Sequence, residues 1–394
     1  MKLTILAVLA GFLYFTSCTE PEVPSNKPVV PIKDEKVQTS YITIVAAGDN
    51  LIHDIIYNRA RTSGNAETFD FSPSYEKIQS IIKNADIAFV NQETVLGGKE
   101  FVHSGYPVFN TPQEVGKALV NAGFNVVNHA SNHVMDKGEK AAFATMDFWE
   151  SLGIPYLGIF RSEEKRKNGH QIIEKNGVKV GFLSYTYGLN GFPLPKDKPW
   201  MVGIIDTDVM AREIDQLRPN CDFLVVSMHW GNEFQHAPSN TQKELAAFMA
   251  ARKVDLIIGH HPHVTSPVEV IDRPDGGKLA VYYSLGDLVS HTQSDWTPDT
   301  IAGALAFVKV KKTQAGGVVS CTMETVAVIP TVCHYNYDRQ TPFVVYPLWD
   351  YSDELASIHY KSKMTLAYLK NTAQQIFGIR ALDKGQYERE LTGK

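Results

Sequence analysis

The sequence predicts a mixed α/β fold arranged in layers, and the order of its segments is the main evidence. From residue 41 onward, hydrophobic strand-like runs alternate with helix-like segments, and after residue 264 the pattern changes to hairpins. Because βα units come first and hairpins follow, a layered α/β architecture is favoured over a purely doubly wound sheet. The length of 394 residues and a hydrophobic share of 44% suit one large domain with appendages.

Five of the strands predicted ahead of residue 264 are short apolar runs that stop at polar residues. Histidine, carboxylate or amide side chains follow every one of these runs. The runs are YITIVAA (41–47), DIAFV (86–90), GFNVV (123–127), DFLVVSM (222–228) and VDLII (254–258).

Helix predictions rest on apolar spacing together with start and stop signals. Thr111 and Glu114 have the spacing of a capping box, Pro112 suits the first turn, and Gly123 ends the helix. The C-terminal segment is predicted as one long helix with a frayed tail. That helix spans about 352–377, and the other predicted helices span 138–152, 206–217 and 241–253.

Three hairpins are predicted from turn residues between β-like runs. The strongest signal is Asn176-Gly177, which separates QIIEK from VKVGFLSYT. The other two turns lie at 273–277 and at 314–317, the latter between ALAFVKVKK and VVSCTMETVAVIPTV.

Residues 1–18 have the layout of a bacterial lipoprotein signal. Lys2 precedes an apolar stretch that is short for a bilayer span, and Cys18 follows small residues. Lipidation of Cys18 would give an exported, membrane-anchored protein; an ordinary cleaved signal and an uncleaved anchor are the alternatives. The proline-rich residues 19–40 are predicted as a tether, 41–335 as the main domain and 336–394 as a C-terminal helical extension.

Charge and cysteine content argue against two classes of protein. The net charge is −5, the pI is near 6.2 and no stripe of lysine and arginine is present, which disfavours nucleic-acid binding. Beyond Cys18 only Cys221, Cys321 and Cys333 remain, and three thiols cannot all pair internally. Cys221 and Cys321 lie on apolar, strand-like segments, so we expect buried side chains rather than a cysteine nucleophile.

The polar clusters at the strand ends predict one shared metal site. Ligands of open α/β sheets bind outside the carboxyl ends of the strands, and imidazoles with carboxylates suit zinc, manganese and iron. His261-Pro262-His263 is the sharpest signal, because Pro262 favours an extended His261, and positions i and i+2 then project to the same side. A hydrogen-bonded pair of loop histidines is the alternative, and His260 is predicted to point to the opposite side.

Supporting roles are predicted for three neighbouring residues. His229 ends an apolar run and needs a partner, which Glu233 could supply as an acceptor or through a helical i, i+4 relation. Asp136 lies close enough to His133 to orient that imidazole. Asp287, in the sequence YSLGD, is expected to close the site from the far side.

Taken in order, six motifs resemble those of the bacterial capsule-synthesis CapA family, which is associated with poly-γ-glutamate and is similar in turn to calcineurin-like metallophosphoesterases. The motifs are GD, NQE, NHASNHVMDKG, HWGNE, GHHPHV and YSLGD, within residues 41–335. The resemblance implies a four-layer α-β-β-α sandwich with one or two divalent ions at its edge. It implies Glu93 as a bridging carboxylate and His133 as an acid or transition-state donor. The ligands it implies are Asp49, Glu93, Asn132, His229, His261 and His263.

Two positions depart from the family patterns. Metallophosphoesterases usually place a histidine two residues after the first aspartate, where this sequence has Leu51, and His53 is out of phase for a strand. Either the first metal has fewer ligands, or the centre holds one ion. Asp287 stands where the CapA pattern tends to show Asn, which adds a charge near the site.

The leading hypothesis is therefore a metal-dependent hydrolase in which a metal-activated water attacks a phosphoester, or an amide such as a γ-glutamyl bond. A second hypothesis is a membrane-tethered accessory that binds an anionic polymer without turnover, working with capsule synthesis or export proteins. A third is a structural or scaffold protein that retains the clusters without using them.

Overall fold

Two β-sheets organise the part of the chain that the computed structural model describes. This part comprises residues 37–62, 68–168, 170–291, 298–336, 340–361 and 363–392. The predicted signal, its Cys18 and the tether up to residue 36 lie outside the described residues. None of the described helices combines the length and the apolar character needed to cross a membrane.

The strands follow the predicted runs closely, with bounds that extend a few residues beyond several of them. They are β1 (Gln38–Asn50), β2 (Ile87–Gln92), β3 (Val126–Asn128), β4 (Tyr156–Leu157), β5 (Gln171–Lys175), β6 (Val178–Thr186), β7 (Phe223–His229), β8 (Leu256–His260), β9 (Val268–Asp272), β10 (Lys278–Tyr282), β11 (Asp287–Val289), β12 (Ala302–Ala315), β13 (Val318–His334) and β14 (Val344–Pro347).

The first sheet has the order β14-β13-β12-β1-β2-β3-β4, with β11 also paired to the end of β1. Strands β1 to β4 run parallel, whereas β12, β13 and β14 continue the sheet in antiparallel fashion. The second sheet has the order β5-β6-β7-β8-β10-β9, with a parallel centre and an antiparallel strand at each edge. Mixed sheets of this kind match the predicted succession of βα units and hairpins.

Most helices connect the strands. They are α1 (Asp54–Arg59), α2 (Ser72–Tyr75), α3 (Gln79–Lys83), α4 (Glu114–Ala122), α5 (Gly138–Ser151), α6 (Glu163–Asn168), α7 (Thr207–Leu217), α8 (Asn240–Ala251), α9 (Asp353–Ile358), α10 (Leu366–Phe377) and α11 (Lys384–Thr392), with short 3-10 turns at Arg218–Asn220, Pro298–Ile301, Leu348–Asp350 and Gly378–Arg380.

Three hydrophobic layers separate four layers of secondary structure. Because successive residues of a strand face opposite sides, Ile44 and Val45 of β1 enter different layers. Ile44 packs with Phe182 of β6 between the two sheets, while Val45 joins Leu119 of α4 on the outer face. A third cluster joins the second sheet to α7 and α8 through residues such as Met249. The predicted four-layer α-β-β-α sandwich is confirmed by this arrangement.

Two helix predictions are wrong. Helix α4 begins at Glu114 after Gln113, without a side-chain cap, because the hydroxyl of buried Thr111 instead hydrogen-bonds the Thr94 hydroxyl at 2.7 Å. The predicted helix over 352–377 is two helices, since Thr365 caps a new helix after the break. The expected frayed tail forms helix α11.

The C-terminal segment also takes part in the first sheet. Strand β14 pairs with β13 in antiparallel register, and residues of α9, α10 and α11 join the outer hydrophobic cluster of that sheet.

The predicted hairpin turn at Asn176 and Gly177 is present. Both residues have a left-handed backbone, with φ of 50° and 76°, as this type of two-residue turn requires. Cys221 and Cys333 are buried free thiols, and Cys321 is half-buried.

Candidate metal centre

The carboxyl ends of the parallel strands of both sheets meet, and Asp49 lies where they do. Asp49 is the penultimate residue of β1 and is fully buried. Its Oδ2 accepts the backbone N–H of His261 at 3.0 Å and lies 3.4 Å from Nδ1 of His263. Burial opposes ionisation of Asp49, but the nearby imidazoles of His260 and His263 outweigh it and hold the pKa of this carboxyl well below its usual value.

The Asp49 carboxylate is held in place by a chain of amides that the sequence did not reveal. Asn91 donates from Nδ2 to Asp49 Oδ1 at 2.7 Å, and Asn128 donates from Nδ2 to Asn91 Oδ1 at 2.7 Å. The Ser184 hydroxyl donates in turn to Asn128. All three supporting residues are buried and lie on β2, β3 and β6, so the orientation of this carboxylate depends on both sheets.

Glu93 follows β2, and the surroundings of its carboxyl group favour a bound cation. Both of its carboxylate oxygens are buried and have no hydrogen-bond partner. Burial, with a smaller contribution from the charge of Asp49, raises the pKa of Glu93 well above its usual value. A buried carboxylate without a partner is costly, and a cation bound between these side chains would supply the interaction that Glu93 lacks.

His229 and Asn132 come together from opposite sheets. His229 ends β7, and its Nε2 lies 2.8 Å from Oδ1 of Asn132 and 3.6 Å from Oε1 of Glu93. Burial and the neighbouring His261 lower the pKa of His229 well below its usual value. Neutral imidazole is the form that binds metals, so this environment prepares His229 as a ligand.

His261 and His263 face the same centre, although not by the predicted extended backbone. Their φ values are 96° and 59°, in the left-handed region that non-glycine residues rarely adopt. Their ring centroids lie 5.8 Å apart. Burial lowers the pKa of His261 to about 3, and the charge of His263 acts in the same direction. Two strained residues on either side of a proline in a buried loop are typical of a functional site.

Two groups of side chains have donor atoms close enough to share an ion. The potential ligand atoms of Glu93, His261 and His263 lie within 4.8 Å of one another, and so do those of Asp49, His263 and Asp287. All five residues are buried, and their imidazole and carboxylate donors suit manganese, zinc or iron. The residues present therefore fit a divalent cation.

Asp287 lies at the start of β11, beside Asp49 in the parallel register of β1 and β11. Its Oδ1 is 2.9 Å from Nδ1 of His263, and the Ser290 hydroxyl donates to its Oδ2. Burial raises the pKa of Asp287 to about 6, although His263 acts in the opposite direction. Asp287 therefore lies beside Asp49 and His263, and its predicted role in closing the site stays a prediction.

The predicted contact between Glu233 and His229 is absent. Glu233 lies in an exposed loop rather than a helix, so the proposed i, i+4 relation does not exist, and Nδ1 of His229 has no hydrogen-bond partner. His260 points beneath the site, where its ring stacks on Phe89 at a centroid distance of 5.7 Å. Its Nδ1 lies 3.4 Å from Asp49 Oδ1.

His133 and Asp136 form a pair beside the proposed ligands. Nδ1 of His133 lies 2.8 Å from Oδ2 of Asp136, and the backbone N–H of Phe109 donates to the same oxygen at 2.7 Å. The Phe109 ring packs edge-on against His133 at a centroid distance of 4.7 Å. With Nδ1 and the ring position held in this way, Nε2 is the ring atom left for chemistry.

Further residues at the site escaped prediction from sequence. Nδ2 of Asn190 lies 3.4 Å from Nδ1 of His133, and Oδ1 of Asn190 accepts a hydrogen bond from Nδ2 of Asn132 at 3.2 Å. Tyr187 contacts His261 at a ring distance of 4.5 Å. Both lie in the loop after β6, which carries no strand-end motif. Leu51 is buried, so the position two residues after Asp49 offers no ligand.

Comparison with known proteins gives a consistent result. A family model described as bacterial capsule synthesis protein PGA_cap matches residues 43–292. The PGA biosynthesis protein CapA of Bacillus subtilis is 32% identical over 316 residues, covering 79% of this chain and 76% of that protein. The capsule biosynthesis protein CapA of Bacillus anthracis is 33% identical over 184 residues, covering 45% of this chain and 43% of that protein.

Solved structures show weaker similarity. A calcineurin-like phosphoesterase from Bacillus subtilis has a TM-score of 0.42 at 14% identity, covering 86% of this chain and 97% of that chain. The NAD nucleotidase of Haemophilus influenzae has a TM-score of 0.47 at 12% identity, covering 90% of this chain and 66% of that chain. The four layers described above, rather than these scores, establish the architecture.

Proposed function

Because the chain belongs to the family of bacterial capsule synthesis proteins described as PGA_cap, we propose that it is a metal-dependent hydrolase. It cleaves a phosphoester bond of an intermediate in the synthesis of a capsular polymer. The observation that carries this proposal is the buried Glu93 carboxylate, which lacks any hydrogen-bond partner although His229 and His261 lie beside it.

The residues that would hold the ion come from both sheets. When bound, a divalent cation lowers the pKa of a water molecule toward neutrality and polarises a phosphoryl oxygen. The chain supplies a set of donors with three carboxyl groups, whose charge two cations would balance better than one. The candidate ligands are Asp49, Glu93, Asn132, His229, His261, His263 and Asp287.

His133 is the group that would handle the leaving-group proton. Asp136 accepts from Nδ1 of His133, which fixes the orientation of the imidazole and leaves Nε2 free to act on the leaving group. Nε2 can then donate a proton to the departing oxygen or stabilise the charge that develops there. Phe109 excludes water from one face of the imidazole.

The proposal is tested by metal analysis and by turnover on the purified full chain. We expect manganese, zinc or iron to co-purify, and hydrolysis of phosphomonoesters to disappear with a chelator and to return with the metal. The Glu93→Gln and His261→Ala variants should lose metal and activity together. A control variant on the exposed face of the edge strand β5, Glu174→Gln, should retain both. Full activity in the metal-free protein would contradict the mechanism.

A second function is supported by one observation. Leu51 occupies the place of a common metal ligand, which would suit a centre that binds the carboxylates of an anionic polymer without turnover. In that case polyglutamate would bind to the metal-loaded protein, and neither phosphoesters nor γ-glutamyl peptides would be cleaved.

We also propose that the protein acts outside the cytoplasm, held to a membrane by a lipid on Cys18. The support is the sequence pattern of residues 1–18, which precedes the described residues. Such a tether would place the metal centre near enzymes or exporters that handle the polymer.

A further inference from the structure

Aromatic side chains surround the metal centre on the solvent side. Exposed tyrosine and phenylalanine residues are few in the described part of the chain, and several lie on loops that follow strands at this edge. We call Tyr106, Tyr187 and Phe234 the aromatic rim.

Tyr187 has the closest contact with the proposed ligands. Its ring lies 4.5 Å from that of His261 and is nearly parallel to that of His229 at 6.2 Å. The side chain is nevertheless 45% exposed. One face of the ring thus covers two ligands, and a substantial part of the ring remains available to a molecule bound at the metal.

Phe234 and Tyr106 complete the rim from other loops. The Phe234 ring lies 6.1 Å from that of His263 and is 41% exposed. Tyr106 is 77% exposed and packs against Phe109, which contacts His133. Exposed aromatic side chains beside buried polar groups offer apolar contact area to a molecule that binds at the site, as in most small-molecule pockets.

The charges at the centre do not favour a long polyanion. The ion-pair partners of Asp49, Glu93 and Asp287 in the described part of the chain are all histidines, with no lysine or arginine among them. Glu233 adds an exposed carboxylate on the loop that carries Phe234. One phosphate can bind to the metal, but the described ion-pair partners of these carboxyl groups supply no permanent positive charge for a second anionic group.

We propose that the substrate is a phosphoester whose alcohol part contains a ring, a sugar or a nucleoside, which stacks on Tyr187 and Phe234. This inference rests on the proposed phosphoesterase function and adds a specificity to it. The phosphate reaches the metal centre between the ligands, and the ring stays outside, where aromatic faces replace its contact with water.

The test compares phosphomonoesters that share a primary-alcohol leaving group. These are a hexose 6-phosphate and a nucleoside 5′-monophosphate, which contain rings, and glycerol 3-phosphate, which does not. For the metal-loaded full chain we expect kcat/KM to be about tenfold higher for at least one of the two ring-bearing substrates than for glycerol 3-phosphate. Tyr187→Leu and Phe234→Leu should remove most of that preference, whereas Tyr187→Phe keeps the ring and should retain it.

Tyr41 provides a matched control. It is 42% exposed, close to the value for Tyr187, but it lies near the start of β1, at the opposite end of the strand from Asp49. Tyr41→Leu should leave the preference unchanged. Equal kcat/KM values for ring-bearing and acyclic substrates, or a preference that survives both leucine variants, would overturn the inference.

Binding separates this inference from the proposed function. If none of the phosphomonoesters is hydrolysed, the proposed function fails, and their dissociation constants for the metal-loaded protein are measured by calorimetry. Tighter binding of a ring-bearing compound, lost in Tyr187→Leu, would still support the aromatic rim as a ring-binding surface. Equal binding of the ring-bearing and acyclic compounds would reject it.

Discussion

Glu93 and His229 lie 3.6 Å apart, from Oε1 to Nε2, although they follow strands of two different sheets. Both side chains are fully buried, and Oε1 makes no hydrogen bond. Burial raises the pKa of Glu93 and lowers that of His229, so each group is driven towards its neutral form. A cation between them would favour the ionised carboxylate of Glu93 and could bind the neutral imidazole of His229. Such an ion would therefore stabilise this pair in the interior.

Glu93→Gln should separate metal binding from folding. Without metal, the variant is expected to match or exceed the wild type in stability, because glutamine removes an unpartnered buried acid at nearly constant volume. With metal at about 100 times its dissociation constant, the wild type should gain about 2.7 kcal/mol and the variant much less. Urea unfolding with chelator and with manganese or zinc measures both effects. Equal stabilisation of the two proteins by metal would contradict the assignment of Glu93.

Metal affinity should rise with pH. Burial raises the pKa of Glu93. Burial opposes protonation of His263, but the carboxyl groups around it, Asp287 first, outweigh burial and raise its pKa, so both groups retain protons that a metal must displace. Binding therefore releases protons and strengthens as pH increases. Calorimetry in buffers of different ionisation enthalpy counts the protons. Because Asp287 raises the pKa of His263, Asp287→Asn should move the rise in affinity to lower pH; an unchanged profile would contradict this coupling.

Asp136→Asn should impair catalysis without removing the metal. Both hydrogen bonds go to Oδ2 of Asp136, and an amide oxygen in that place can accept both, but it carries no charge and therefore holds the Nδ1–H group of His133 less strongly. We expect kcat to fall roughly 10²-fold, within the range for loss of acid–base catalysis. Metal content by elemental analysis should be unchanged. Loss of metal from the variant would instead indicate a structural role.

The protein should lose stability as pH falls from about 6.5 towards 3. Buried histidines have folded-state pKa values below the ordinary value of 6.5, so the unfolded chain binds more protons in this range. Because protonation favours the state with the higher pKa, acid favours unfolding. Free energies of unfolding at several pH values, measured with chelator, should show the decline, and constant stability down to pH 4.5 would contradict it. The pKa is about 3 for His53, His129 and His261, and about 4 for His291 and His359, with burial as the first cause in each case.

His129→Gln is the matched variant for this pH dependence. His129 lies away from the donor groups, and its Nε2 accepts from Trp149 at 2.6 Å. Glutamine can accept the same hydrogen bond but does not titrate, so the decline in stability should become shallower.

Cys18→Ser should release the protein from the membrane fraction and abolish incorporation of labelled fatty acid. Lipidation requires the thiol of Cys18. The substitution replaces this thiol by a hydroxyl and leaves the preceding apolar stretch unchanged. Cys221→Ser is the matched control and should leave membrane association unchanged, since Cys221 is a buried free thiol. Retention of Cys18→Ser in the membrane would favour an uncleaved anchor.

The sequence predicted the strands and the gathering of polar groups better than it predicted local geometry. Apolar runs that stop at Asp49, Glu93 or His229 mark strand ends, and topology brings strand ends together. The predicted contact between Glu233 and His229 was wrong because an i, i+4 spacing brings side chains together only in a helix, and no helix forms there. The left-handed φ of His261 overrides the usual preference before proline, and only the packed loop shows it.

The roles of residues that act through tertiary contact could not be predicted from the sequence. Asn128 and Ser184 support Asp49 through other side chains, and Tyr187 reaches His261 from a loop with no regular pattern. Amide and aromatic residues are common in loops and strands, so spacing alone does not distinguish them. Their roles follow from the way the two sheets face each other.

Donors contributed by both sheets have a mechanical consequence. The apolar layer between the sheets holds them together along their length, whereas at the carboxyl edge that layer gives way to acids, amides and imidazoles. An ion at this edge would link the two sheets at one end only, because the apolar layer already holds them together elsewhere. Removal of the ion would allow local opening of this edge while the apolar layer between the sheets stayed closed. Amide hydrogen exchange should therefore become faster first next to His229 and His261.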